Sequence, residues 1–314
     1  IAMAHVKRLA GIPEAEIVAF QDVVSQKAED AAKSVGAKAY SDLQEMLHKE
    51  KLNTVYVCVP PFVHGFEPEI VERGIHLFVE KPVAMTMGLA NRIERAIAKA
   101  GVLCSVGYMW RYLDTTALAK QELEENGPVG MVEGLYIDPY WFPPGHWWID
   151  KEKSGGQVIE QSTHVFDLAR YLVGDVERVY AEMNTRLLAD VAGFKTEDVS
   201  LVTLKFKNGA IGVVLSTCAS RRTFTGTSLK IIAKNVVLEH GGHSGTLRIY
   251  SDKEVKEVKP GVDSYLEEDK VFVNAVAKGD GSPIKSPYSD AVKTLEVTIA
   301  ADEASSQKKV INIR

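Results

Sequence analysis

Short apolar runs alternate with helical stretches over the first hundred or so residues, and this alternation restricts the fold more than any other feature of the chain. The runs are EIVAFQD at 16–22, TVYVCVPP, HLFVEKP and VLCSVGY. Between them lie SQKAEDAAKSVG, which starts at Ser25 and stops at Gly36, then DLQEMLHKE, a stretch over about 63–72 closed by Gly74, and LANRIERAIAKAG with its terminal Gly101. TVYVCVPP is apolar on both faces, as a central strand of a parallel sheet must be. Strand, helix, strand in repetition predicts an α/β layer with a parallel sheet covered on both sides.

The pattern changes after Arg111. A helix, ALAKQELEENG, precedes runs that alternate as half-buried strands do: VGMVEGLYID, VERVYAEMNTRL, VSLVTLKFKNGAIGVVLSTC, SLKIIAKNVVLEH, TLRIYSD and EVKEVKP. Lys207-Asn208-Gly209 marks a hairpin. One helix over about 161–172 interrupts the series, and two more close the chain. This half reads as α+β, with a mixed or antiparallel sheet and helices on one face. The boundaries expected are 1–113 for a dinucleotide-binding domain and 114–314 for a substrate-binding and oligomerisation domain, with a late helix returning to the first.

The 314 residues carry a formal charge of −5, which argues against a general nucleic-acid surface. No apolar run is long enough to span a membrane and no secretory signal is visible. Cys58, Cys104 and Cys218 form no CxxC pair and lie among apolar or small residues, as buried thiols in a reducing, cytoplasmic setting do.

An open α/β sheet that takes a dinucleotide needs a glycine turn after its first strand, with the pyrophosphate at the following helix N-terminus. The chain opens inside a helix, AMAHVKRL, where Ala2 suits the last small position of G-x-G-x-x-G/A. The expectation is an apolar strand and a G-x-G turn upstream of Ile1. Asp22 ends the next strand about twenty residues on, where a carboxylate takes ribose hydroxyls. It favours NAD over NADP, because it repels a 2′-phosphate and no arginine follows in DVVSQ.

Two further stretches carry chemistry. HLFVEKP sets Glu80 and Lys81 at the carboxyl end of a strand, where ligands bind in open sheets, and a lysine there stabilises charge on a substrate oxygen. In GGQVIEQSTHVFDLARYLVG, Glu160, His164 and Asp167 share a face if the helix is continuous. His164 suits proton transfer, and Glu160 one turn earlier is placed to hold its ring. The same spacing suits a metal, but further donors are lacking apart from His146, so no metal site is expected. The loop DPYWFPPGHWWIDK, with Trp147 and Trp148, either walls a pocket against a sugar face or lies in a subunit contact.

Together, AHVKRL, VPPFVHGFEPEIVERGIHLFVEKPVA, VGYMWRY and SGGQVIEQSTHVFDLARYLVG resemble the Gfo/Idh/MocA family, the glucose-fructose oxidoreductase and inositol dehydrogenase-like proteins, over nearly the whole length. The resemblance implies a Rossmann-type domain, then an α+β domain with a large open, mostly antiparallel sheet that often joins subunits into dimers or tetramers. It implies that Lys81 meets substrate and the nicotinamide ribose, that His164 is the general acid/base and that Asp167 helps hold substrate. Val59 and Pro60, with His64 just beyond, fall on the family's cofactor loop, and Glu80 and Arg111 fall near the cofactor. One departure is that the commoner form has Asp four residues before the histidine, where this chain has Glu160. The expected activity is hydride transfer between NAD and a carbinol carbon of a sugar or cyclitol. NAD-assisted cleavage of glycosides and a non-catalytic dinucleotide-binding regulator stand as alternatives.

Overall fold

The computed structural model describes residues 1–313. The first third holds five short parallel strands: β1 (Ala19–Gln21), β2 (Lys38–Tyr40), β3 (Thr54–Val57), β4 (His76–Val79) and β5 (Cys104–Val106). They form two sheets, β1-β2 and β3-β4-β5, and β1 and β3 each pair on one side only. The parallel layer is therefore present in two pieces.

Local sequence explains the helices between them. In Met87–Ala100, Thr86 Oγ1 accepts from Leu89 N at 3.2 Å, Gly101 leaves the helix at φ 67°, and Ala90, Ile93 and Ile97 form its buried stripe. The stretch expected as one helix over 63–72 is divided. Pro61–Val63 makes a single 3₁₀ turn, Gly65 sits at φ 134°, and the α-helix runs only Glu67–Val71.

The second sheet has nine strands, in the order β13-β12-β11-β10-β6-β9-β8-β7-β14. They are β6 (Val129–Pro139), β7 (Val176–Asn184), β8 (Val199–Phe206), β9 (Ile211–Ser220), β10 (Gly226–Ala233), β11 (Val237–His240), β12 (Leu247–Tyr250), β13 (Val255–Val258) and β14 (Ile311–Asn312). Only β6 and β9 pair in parallel. The hairpin at Asn208 forms as its sequence requires, with Gly209 at φ 97° between β8 and β9. Val202, Leu204, Phe206, Val132 and Val214 point into the core under the helices Asp114–Glu125 and Thr163–Val173.

Two late helices return to the first layer. In Ser264–Lys278, Phe272 and Ala275 pack on Phe78 of β4. In Tyr288–Gln307, Tyr288, Ala291 and Leu295 complete the core around Val79 and Val106, while Val297, Ala301 and Ala304 belong to the core of the large sheet. Among the described residues no helix is long and apolar enough to cross a membrane.

Gly134, mid-β6, is where the helix Thr163–Val173 comes closest to the large sheet. A Cβ there would lie 2.5 Å from Val165 Cγ1 and 3.1 Å from Val214 Cγ2. Gly134→Ala is expected to lose about 1–3 kcal/mol of unfolding free energy in urea titrations. A variant as stable as the parent would contradict this close approach.

Candidate active site

Lys81 leaves the carboxyl end of β4 through a cis Lys81–Pro82 bond. Its Nζ donates to the backbone oxygen of Glu160 at 2.7 Å and to Glu160 Oε1 at 2.9 Å. The other carboxylate oxygen of Glu160 accepts from the indole Nε1 of Trp148 at 2.6 Å. Both side chains of the ion pair are 15% exposed, so the pair stands at a cleft wall with part of its surface open. A charge-assisted pair with a second donor is well ordered.

Glu160 does not hold His164, and the expected continuous helical face is absent. Gly155 and Gly156 take φ 80° and 91°, and a Cβ on Gly156 would meet Glu197 Oε2 at 2.4 Å. The chain then makes one turn, Gln157–Glu160, breaks at Gln161 and Ser162, and resumes as Thr163–Val173. At the break Ser162 N donates back to Gln157 O, five residues earlier, at 3.0 Å. That extra residue rotates Glu160 away from His164 and toward Lys81.

His164 is 6% exposed and its Nδ1 is buried without a hydrogen-bond partner. Tyr108 meets its ring edge-on at 5.9 Å, Trp110 lies at 5.1 Å and the ring of His243 at 6.4 Å. Burial first, then the charge of Lys81 and the nearby His243, hold the imidazole well below the usual histidine range. Without a carboxylate partner, the ring is neutral at pH 7.

Asp167, on the same helix, is occupied elsewhere. Arg111 Nε and Nη2 donate to its two oxygens at 2.7 and 2.6 Å, and Thr294 Oγ1 donates to Oδ1 at 2.9 Å. Arg111 also donates to Lys285 O at 2.7 Å and pairs with Asp290. Both Asp167 and Arg111 are 2% exposed, so this clamp lies behind the cleft rather than in it.

The strand-end residues sit as follows. Ala2 is the first residue of the helix Ala2–Leu9. Asp22 follows β1, its Oδ1 accepts from Val24 N at 2.8 Å, and among the described residues its Oδ2 accepts no hydrogen bond. Val59 and Pro60 follow β3. His64 is buried, with Nδ1 on Glu67 Oε1 and Nε2 without a partner. Glu80 is turned inward, with Oε1 3.0 Å from His5 Nε2. In the aromatic loop, Trp148 is 1% exposed and stacked on Phe142 at 4.3 Å, so it reaches the site by its N–H and not by its face. Trp147 leans toward Phe62 of the first layer, their ring centroids 6.4 Å apart.

His243 is an addition that motif reading passes over. It lies in the GGHSG turn between β11 and β12, 5.1 Å from Trp110 and 6.0 Å from Tyr136. Desolvation by these rings and the charge of Lys81 keep it below the usual histidine range. Its one signal in the sequence is Gly242, held at φ 52° where a Cβ would collide with Thr227 Oγ1 at 2.1 Å.

Residues 1–108 match the family model described as "Oxidoreductase family, NAD-binding Rossmann fold", and residues 118–238 match the "GFO/IDH/MocA C-terminal domain". The chain is 28% identical to the myo-inositol 2-dehydrogenase of Thermotoga maritima, over 100% of this chain and 96% of the relative. It is 30% identical to the scyllo-inositol 2-dehydrogenase (NAD(+)) of Bacillus subtilis, over 78% of this chain and 70% of the relative. The fold is similar to that of a levoglucosan dehydrogenase in complex with NADH and levoglucosan, with a TM-score of 0.90, 21% identity and coverage of 100% of this chain and 96% of the other.

Asp167→Asn removes the charge opposite a buried guanidinium. It is expected to lower unfolding free energy by about 3 kcal/mol, measured by urea denaturation, because the loss leaves Arg111 under-neutralised. An unchanged midpoint would show that Asp290 alone satisfies Arg111.

Proposed function

Because the chain belongs to the Gfo/Idh/MocA family of oxidoreductases, we propose that it is an NAD(H)-dependent dehydrogenase that acts on a carbinol carbon of a cyclitol, sugar or sugar derivative, with His164 and Lys81 as the groups that handle the hydroxyl. The observation that carries this reading is convergence. Lys81 comes from a parallel strand end and His164 from a helix on the large sheet, yet Lys81 Nζ is hydrogen-bonded to the backbone and side chain of Glu160, four residues before His164.

The residues present fit a dinucleotide. Asp22, Val59–Pro60 and Glu80–Lys81 each stand at the carboxyl end of a parallel strand, and Asp22 keeps one carboxylate oxygen open to a ribose diol. Its negative charge favours NAD over NADP. When bound, nicotinamide supplies the hydride acceptor or donor. The chain supplies position, field and proton. His164, neutral and short of one hydrogen bond, takes the hydroxyl proton during oxidation and returns it during reduction. The Lys81 ammonium stabilises the developing alkoxide. Glu160, with Trp148 behind it, aims Lys81. Asp167 acts at one remove, by holding the segment of Arg111 against the helix of His164. Trp110, Tyr136 and His243 form a ring cluster beside His164, of which only His243 is exposed enough to meet a polyol ring.

We extend the reading to assembly and location. On the outer face of the large sheet, Met131 and Ile211 are paired neighbours, 45% and 54% exposed, and Leu201 and Leu215 are paired neighbours, each 38% exposed. Such an apolar face supports a homodimer or homotetramer through this sheet. The three free thiols, two of them buried, support a cytoplasmic setting.

The direct test is NADH formation from NAD⁺ across inositols, anhydrosugars and aldoses. Turnover with one of them supports the proposal. Silence across the panel together with release of sugar from a glycoside would replace it with NAD-assisted glycoside cleavage. His164→Ala is expected to lower kcat by about 10²- to 10⁴-fold while NADH affinity, read by fluorescence, stays near that of the parent. Since the His164 pKa is lowered, kcat/KM for oxidation should hold as pH falls through 6.5, the ordinary value, and decline only well below it. Loss of NADH binding with chemistry intact would overturn the base assignment. Ile211→Arg is expected to shift light-scattering mass to the monomer, and an unchanged mass would remove the sheet from the interface.

A further inference from the structure

Away from the cleft, three segments meet at a buried polar cluster. His5 comes from the helix Ala2–Leu9, Glu80 from the end of β4, and Glu268 and Asp269 from the helix Ser264–Lys278. Their exposures are 1%, 6%, 0% and 0%. His5 bonds Asp269 through one ring nitrogen and Glu80 through the other, which leaves the third buried carboxyl group, Glu268, without compensation. Arg8, one turn beyond His5, does not supply it, since its Nε and Nη2 are given to Asp263 at 3.0 and 2.8 Å.

Glu268 is the decisive member. Both of its carboxylate oxygens are buried with no hydrogen-bond partner. They are not scattered, because one ligand atom each from His5, Glu80 and Glu268 lies within 4.8 Å of the others. His5 Nε2 and Glu80 Oε1 are 3.0 Å apart. That hydrogen-bond distance is about the spacing of adjacent ligands at right angles on a six-coordinate ion with bonds of roughly 2.1 Å, and a tetrahedral Zn²⁺ would open it to about 3.4 Å. On its other side His5 Nδ1 lies 2.8 Å from Asp269 Oδ1. A carboxylate holding the far nitrogen of an imidazole fixes the tautomer that presents Nε2 to a metal.

We propose that His5, Glu80 and Glu268 form a binding site for one divalent first-row cation, with Asp269 orienting His5. One imidazole with two carboxylates is a donor set for Zn²⁺ or Mn²⁺ rather than for the all-oxygen shells of Ca²⁺ and Mg²⁺. The ion neutralises the buried carboxylates and satisfies Glu268. It is structural: it pins the first helix, β4 and a helix from the far end of the sequence to one point. Because Glu80 directly precedes Lys81, that point also fixes the backbone from which the cleft lysine leaves. Glu160 and His164, the residues whose spacing first suggests metal ligation, are not part of it.

The test uses the full chain, dialysed against chelator and then titrated with Mn²⁺ or Zn²⁺. The expected result is uptake of one equivalent per chain and a rise in Tm of about 3–8 °C at saturating ion. Glu268→Gln, nearly isosteric, is expected to lose both. In case that variant does not fold, the parent alone decides by NMR: Mn²⁺ should broaden the His5 ring signals before those of surface His48. No uptake and no change in Tm with either ion would overturn the site and leave a proton on the cluster as its compensation. Equal uptake by Glu268→Gln, or broadening of His48 with His5 untouched, would overturn it as well.

Discussion

The bidentate contact between Arg111 and Asp167 holds the two halves of this protein in register. It is almost fully dry, so neither partner can be lost without stranding a charge in the interior. Arg111 follows β5, Asp167 lies one turn beyond His164, and Asp290 and Thr294 bring the helix Tyr288–Gln307 to the same point. Arg170 extends the network to Asp290 and Asp175. The ring of His164 is thereby placed against Tyr108 and Trp110, and facing Lys81, by a contact that touches no substrate. Interactions of this kind set the geometry on which reaction rates depend most steeply.

Much of the fold was legible in the chain, and the reasons are local. The left-handed glycines at 36 and 101, where two helices were expected to stop, and the turn at Asn208-Gly209 are matters of near-neighbour chemistry. The strand β2 escaped notice because three residues, Lys38–Tyr40, have no alternation to display.

The site divides in the same way. The reading of Lys81 rests on its place at a strand end, and that of His164 on its residue type and its spacing with Glu160 and Asp167. The partner of Glu160 does not follow. Spacing of four implies a shared face only on an unbroken helix, and one added residue at Ser162 moves the carboxylate to another neighbour. The glutamate in place of the commoner aspartate is consistent with that longer reach, since it spans to Nζ of Lys81 and to the indole of Trp148 at once. The cluster at His5 is a product of tertiary proximity, as is His243, whose only sequence mark is the glycine pair before it.

The helix Tyr288–Gln307 finishes the core of a layer whose strands were all made before residue 107. On a ribosome, that first layer would emerge with Val79, Ile93 and Val106 lacking one of their covers until the helix Tyr288–Gln307 had been synthesised. The N-terminal half is therefore a poor candidate for early, independent folding, despite its simple topology. A truncation before Tyr288 would leave that apolar seam open permanently.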